Sequence, residues 1–165
     1  MELKSRNYAQ IGFYICALSV AFGAMGKHLI EEVISMYYLE VFETAVRYQF
    51  FHGLAIAMLA LNHRKLNEKY LLYILPLFII SILVFCGTLY LLVFFSIVVG
   101  DDYKWLGAIT PLGGAGFILG WVLLGVKGFD TYDTAVNQTD TSSKRRHKRH
   151  RSSRSKSESP QSSTN

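Results

Sequence analysis

Cysteine is scarce: the 165 residues contain two, Cys16 and Cys86, in different apolar runs and in no C-x-x-C pair. That argues against a disulfide-stapled fold and against a thiolate metal cluster, and leaves packing as small hydrophobes as their expected use. Proline is nearly as rare, with three residues, so little interrupts the long apolar stretches. Catalytic sets are missing too. No Ser/His/Asp arrangement and no paired carboxylates stand out, and Glu40 and Glu43 read as solvated interfacial charges. Gly113-Gly114-Ala115-Gly116 follows no strand and is not followed by Gly-Lys-Ser or Gly-Lys-Thr, so it is not a phosphate-cradling loop. Helix packing is its expected role.

Hydrophobic residues, by contrast, make up 51% of the chain and aromatics 14%, and the mean hydropathy is positive at +0.25. These values are too apolar for an ordinary soluble domain. Charge is confined to short gaps and to the C-terminal region. The net charge of +5 arises there, because eight of the seventeen Lys and Arg residues lie between Lys144 and Lys156. A basic isoelectric point therefore describes the tail and not the body, and nucleic acid is not an expected partner.

The pattern predicts an all-α membrane protein: a leader (1–7), a membrane domain (8–126) of four transmembrane helices in a compact bundle, and a disordered basic tail (127–165). The spans fall at about 8–26, 41–62, 70–99 and 105–126. Ala21-Phe22-Gly23 has the look of a signal cleavage site, but Ala17, Ala21 and Ala24 form a small-residue line expected in a retained, packed helix. Lys27 to Glu43 keeps apolar residues at helical spacing among its glutamates and predicts an amphipathic helix lying in the interface. The third run contains Pro76 and Gly87, and reads as one tilted helix with a bend. In the fourth run Gly116 and Gly120 form a GxxxG step for close packing, as Gly87 is expected to do in the third.

Four spans place both termini on one side of the bilayer. That side carries Lys4, Arg6, Arg64, Lys65, Lys69 and Lys127 even without the tail, against Lys27, Arg47 and Lys104 opposite. The excess of basic residues predicts cytoplasmic termini. Asn137-Gln138-Thr139 has glycosylation spacing but would then face the cytoplasm and stay unmodified.

Polar residues within the spans mark packed seams or sites, because burying them without partners is costly. Thr44, Tyr48 and His52 recur every four residues with Gln49 beside them. Counted from the outer ends of their helices, these residues, Thr88, Tyr90 and Thr110-Pro111 fall at similar depth. They predict a shared polar cluster opening toward the outer face, with His28 at the rim and Gln49 and His52 at the floor. Two readings of His28 and His52 stand side by side: ligands of a metal or haem, or, favoured, a hydrogen-bonded interior group and an interfacial one. His63 is expected to be solvated in its loop.

The runs A-F-G-A-M-G-K-H (from Ala21), F-E-T-A-V-R-Y-Q-F-F-H-G-L-A (from Phe42), F-C-G-T-L-Y (from Phe85) and T-P-L-G-G-A-G-F-I-L-G-W (from Thr110) resemble the YgdD-like, transmembrane protein 256 family. The resemblance covers roughly 8–126 and implies a four-helix membrane protein of bacterial inner membranes or eukaryotic membranes, with no catalytic residue to carry over. Lys27, Cys86 and the basic tail depart from the family pattern.

The expected function is non-enzymatic: a structural or interaction protein of the membrane, without a cofactor. Its expected partners are membrane lipids and a second copy or another membrane protein. Lys144, Arg145, Arg146, Lys148, Arg149 and Arg151 are expected to contact anionic lipid headgroups. The competing class is a small transporter or a cofactor-binding subunit that uses the intramembrane polar cluster.

Overall fold

In a computed structural model the described residues are 2–26, 32, 34–99 and 101–129, and they form four α-helices. These are α1 (Glu2–Met25), α2 (Met36–Leu61), α3 (Glu68–Val98) and α4 (Thr110–Lys127). A 3-10 turn, His63–Lys65, joins α2 to α3, and a kinked 3-10 segment, Asp101–Ala108, leads into α4. Among the described residues three stretches are long and apolar enough to cross a membrane: Ser5–Met25, Glu68–Val98 and Trp105–Lys127. The helix α2 is also long, but Arg47, Gln49 and His52 in its middle lower its apolar character.

Local chemistry explains the helix ends. The side chain of Asn67 accepts from the backbone N–H of Lys69 and starts α3, a side-chain cap for an otherwise unpaired amide. The backbone N–H of Asn67 also donates to the Gly128 carbonyl at 2.7 Å, tying the start of α3 to the end of α4. The helix α3 continues through Pro76, at the loss of the hydrogen bond that residue 76 would give to Leu72. Pro111 lies in the first turn of α4, where a missing amide costs nothing. It does not sit a turn inside the helix, as the run from Trp105 suggested, because Asp101–Ala108 is a separate 3-10 segment.

Two starts differ from expectation. Helix α1 begins at Glu2, so its first turns pass through the predicted leader. The predicted interfacial helix is not separate over Met36–Glu43, since those residues are the first turns of α2. Residues 27–31 and 33, which include His28 and most of the rest of that predicted helix, lie outside the described residues. So does the tail from 130 onward, with Lys144, Arg145, Arg146, Lys148, Arg149 and Arg151.

The helices pack as two antiparallel hairpins, α1 with α2 and α3 with α4, joined where α2 meets α3. Small residues set the closeness of each hairpin. A Cβ at Gly12 would stand 2.6 Å from the Ala57 nitrogen and 2.7 Å from the Gly53 carbonyl, and one at Gly113 would stand 2.5 Å from the Phe85 nitrogen. Gly116 and Gly120 seat Ser81 and the Phe78 ring where their own side chains would be. The apolar core runs through Ile56 and Ala60 of α2, Ile74 and Phe78 of α3 and Phe117 of α4. A second cluster, at the other end, joins Tyr38 and Phe42 to Leu92, Val93 and Leu106.

Three of the predicted packing residues take no such part within the chain. Ala17 and Ala21 are exposed. The packed face of α1 is instead the buried line Gly12, Ser19 and Gly26, spaced by sevens; Ala21, nine residues past Gly12 at about 100° per residue, points the opposite way. Gly87 has nothing within 4 Å of the place a Cβ would occupy. It lies on the side of α3 that carries the exposed Ile80, Leu83 and Phe94, seven, four and seven residues away, and not on the side that meets α4.

Candidate functional site

One turn of α2 carries the polar interior. Ala45, Gln49, His52, Ile56 and Ala60 follow a three- and four-residue spacing and are all buried, which turns this face of α2 toward the other helices. Gln49 is 4% exposed and His52 7%, so each must find its hydrogen-bond partners inside the protein.

Gln49 finds them on two helices. Its Nε2 donates to the Ile15 carbonyl of α1 at 3.2 Å, and its Oε1 accepts from the Tyr90 hydroxyl of α3 at 2.8 Å. His52 reaches the fourth helix. Its Nδ1 lies 2.9 Å from the Tyr48 carbonyl, and its Nε2 lies 3.1 Å from the indole Nε1 of Trp121 on α4. An indole N–H only donates and a carbonyl only accepts. The imidazole is therefore the neutral Nδ1–H tautomer with its Nε2 lone pair taken, which leaves neither nitrogen for a metal or haem in this arrangement. The Phe117 ring, stacked with its centroid 3.6 Å from that of His52, covers the imidazole face.

A third link joins α3 to α4. The hydroxyl of Thr88 donates within its own helix, to Val84 at 2.7 Å and Phe85 at 3.0 Å, so the 3.0 Å contact with the Thr110 hydroxyl has Thr110 as donor. In the first hairpin, Ser19 donates to the Val46 carbonyl at 2.6 Å. At the loop end, Ser5 donates to the Ala60 carbonyl at 2.5 Å and lies 2.9 Å from His63 Nδ1. His63 is thus half-buried between α1 and α2 and not the solvated loop residue its position suggested.

The predicted cluster is accordingly brought together in pairs and not as one opening. Gln49 meets Tyr90, and Thr88 meets Thr110. The expected face of Thr44, Tyr48 and His52 is divided: Thr44 turns its hydroxyl back onto the Glu40 carbonyl, and Tyr48 is 41% exposed with its ring against Phe85. Gln49 takes the inward position instead, because the packed face of α2 is centred on Ala45, Gln49 and Ile56.

Sequence reasoning missed Trp121 and Ser19 as members of the polar interior. A signal for Ser19 existed in its seven-residue spacing from Gly12. Trp121 ended a motif already singled out, but a tryptophan near a helix end reads equally well as a membrane-interface anchor.

The arrangement has a simple chemical property. Among the described residues no buried side-chain nitrogen or oxygen lacks a hydrogen-bond partner, and no three His, Cys, Asp or Glu side chains gather as a metal site. The polar groups are spent on one another and on backbone carbonyls, between helices.

Comparison with known proteins places the chain among relatives. The family described as "Protein of unknown function (DUF423)" matches residues 22–114. A UPF0382 membrane protein of Staphylococcus aureus (strain bovine RF122) is 35% identical over 121 residues, which is 72% of this chain and 92% of the relative. A UPF0382 membrane protein of Staphylococcus haemolyticus is also 35% identical over 121 residues, with the same coverage of both chains. One from Staphylococcus saprophyticus is 33% identical over 121 residues, covering 72% of this chain and 93% of its own. No solved structure matches the chain.

Proposed function

The chain belongs to the DUF423 family, whose relatives are named as membrane proteins, and from that premise we propose that it is a non-enzymatic structural or interaction protein of the membrane. All four helices cross the bilayer as a compact bundle of the YgdD-like, transmembrane protein 256 type. Both termini face the cytoplasm, in a bacterial inner membrane or the corresponding eukaryotic organelle membrane. The basic tail contacts anionic headgroups beside it. Partners are lipids and a second copy or another membrane protein.

The observation that carries this reading is the use of α2. Gln49 and His52 are polar residues in the middle of α2, and their side chains hold α1, α3 and α4. In hydrocarbon such bonds are what polar residues are retained for when they are not a pathway. Arg47, farther toward the start of α2, pairs with Glu43 at 4.0 Å, which offsets its charge near the membrane surface. A transport or cofactor role would require Gln49 or His52 to release a helix partner.

Native mass spectrometry of the full chain from mild detergent tests this. The expected result is the chain, alone or as an oligomer, with bound lipid and no other small molecule. A stoichiometric haem, quinone or metal ion would overturn the reading in favour of a cofactor-binding subunit.

A further inference from the structure

At the end of the molecule where α1 and α3 both begin, a groove of about 600 Å³ opens between them. It is lined by Asn7, Tyr8 and Ile11 of α1 and by Lys69, Leu72 and Tyr73 of α3. The groove exists because α1 packs mainly on α2, and α3 on α2 and α4, so α1 and α3 do not close on each other. Tyr8, half-buried against the core, forms its inner wall.

Its chemistry is divided along the helix axes. Asn7 and Lys69, both exposed, lie next to the points where the membrane-crossing stretches Ser5–Met25 and Glu68–Val98 begin. Ile11, Leu72 and Tyr73 lie three or four residues farther in, which is about 5–6 Å deeper at 1.5 Å per residue. A cation and an amide thus stand at headgroup depth, with an apolar trough directly below them. Arg6 and Lys65 are exposed at the same end, adding positive charge around the mouth. Glu68 does not line this groove; it lines an adjoining small void with Ser5 and His63, on the other side of the shared Tyr8 and Leu72.

We propose that the groove binds one anionic phospholipid, its phosphate at Lys69 and Asn7 and its acyl chain along Ile11, Leu72 and Tyr73. The site is built into the helical body and is separate from the basic tail. A second copy of the chain would need an apolar partner surface where Lys69 stands, whereas an anionic lipid matches both ends of the groove. The proposal rests on the membrane-spanning reading above, and the experiment separates the two.

Full-length protein is reconstituted in vesicles containing a phosphatidylglycerol analogue with a photoactivatable group near the carbonyl end of its acyl chain. A matching phosphatidylcholine analogue serves as comparison, both at physiological salt, and because adducts are mapped residue by residue, labelling in the groove is read apart from lipid held by the tail. Adducts should concentrate on residues 8–11 and 70–73 with the anionic analogue and be weaker with the zwitterionic one. Lys69→Gln should reduce them about fivefold, the effect of removing one cation near an anionic surface. Leu72→Trp, which fills the trough and leaves the charge in place, should reduce them as well. Adducts spread evenly over the exposed faces of all helices, equal labelling by both analogues, or labelling unchanged in both variants would overturn the groove while leaving the bundle reading intact. No labelling of any helix would overturn both.

Discussion

The indole of Trp121 and the imidazole of His52 meet nitrogen to nitrogen at 3.1 Å, and that contact is a side-chain hydrogen bond between α2 and α4. The two helices come from different hairpins. Their turn-mediated neighbours hold each hairpin together, but only side-chain contacts such as this one fix how the second hairpin sits against the first. Gln49 does the same on the other side of α2, through Ile15 and Tyr90. Neighbouring positions on one helix therefore set the arrangement of all four.

Trp121→Phe should leave the stacking around His52 in place and remove only the donor. Interhelical hydrogen bonds in membrane proteins average about 0.6 kcal/mol and reach about 1.7 kcal/mol, so a loss in that range is expected in detergent unfolding. His52→Leu should destabilise by a comparable or larger amount. In the double variant the two losses should fail to add, since one bond is being removed twice. Additive losses would show that the two residues do not interact.

Gln49→Leu should cost more than Tyr90→Phe. The first strips acceptor and donor from two helices at once and leaves the hydroxyl of the half-buried Tyr90 unpaired, a penalty of up to about 1–3 kcal/mol. The second leaves the Gln49 Oε1 unpaired but keeps the Nε2 bond to Ile15, so the loss of that bond to α1 in the first variant is what sets the order. Thermal unfolding of both variants in one detergent compares them directly, and an equal or reversed order would contradict the bridging geometry.

Reporter fusions should give a cytoplasmic signal after Asn62 and after Val126, and an external one after Asp102. This follows from the distribution of Lys and Arg between the two ends of the helices. The fusion after Asn62 is the most informative, because α2 is the helix whose polar interior sets it apart from the three stretches of strong membrane-crossing character. An external signal there, with a cytoplasmic one after Asp102, would invert the proposed orientation.

The helices were legible in the sequence because uninterrupted apolar length is a strong signal, and α3 shows it most clearly, running through Pro76 from Glu68 to Val98. Their faces were less so. In a lipid-exposed bundle both the outward and the inward sides of a helix are apolar, so periodicity does not say which side packs. Ala17 and Ala21 were an equally good small-residue line as Gly12, Ser19 and Gly26, and only the structure chooses the latter. The pairing of Thr88 with Thr110 was foreseeable from their shared depth. That of His52 with Trp121 was not, because depth alone says nothing of rotation about the helix axis.

Glycine substitutions distinguish these faces most sharply, because the same chemical change should have opposite signs at different positions. Gly12→Ala places a methyl group 2.6 Å from the backbone nitrogen of Ala57, and Gly113→Ala places one 2.5 Å from that of Phe85. Backbone does not swing aside as a side-chain tip does, so each hairpin would have to open, and both variants should unfold at lower temperature. Gly87→Ala meets nothing within 4 Å. In the middle of α3 it should instead gain helix propensity, about 0.8–1.0 kcal/mol in soluble hosts, and unfold at the same or a higher temperature. Loss of stability at Gly87 equal to that at Gly12 would mean that a further surface, outside the single chain, packs against α3 there. Tolerance of alanine at both Gly12 and Gly113 would refute the close hairpin packing itself.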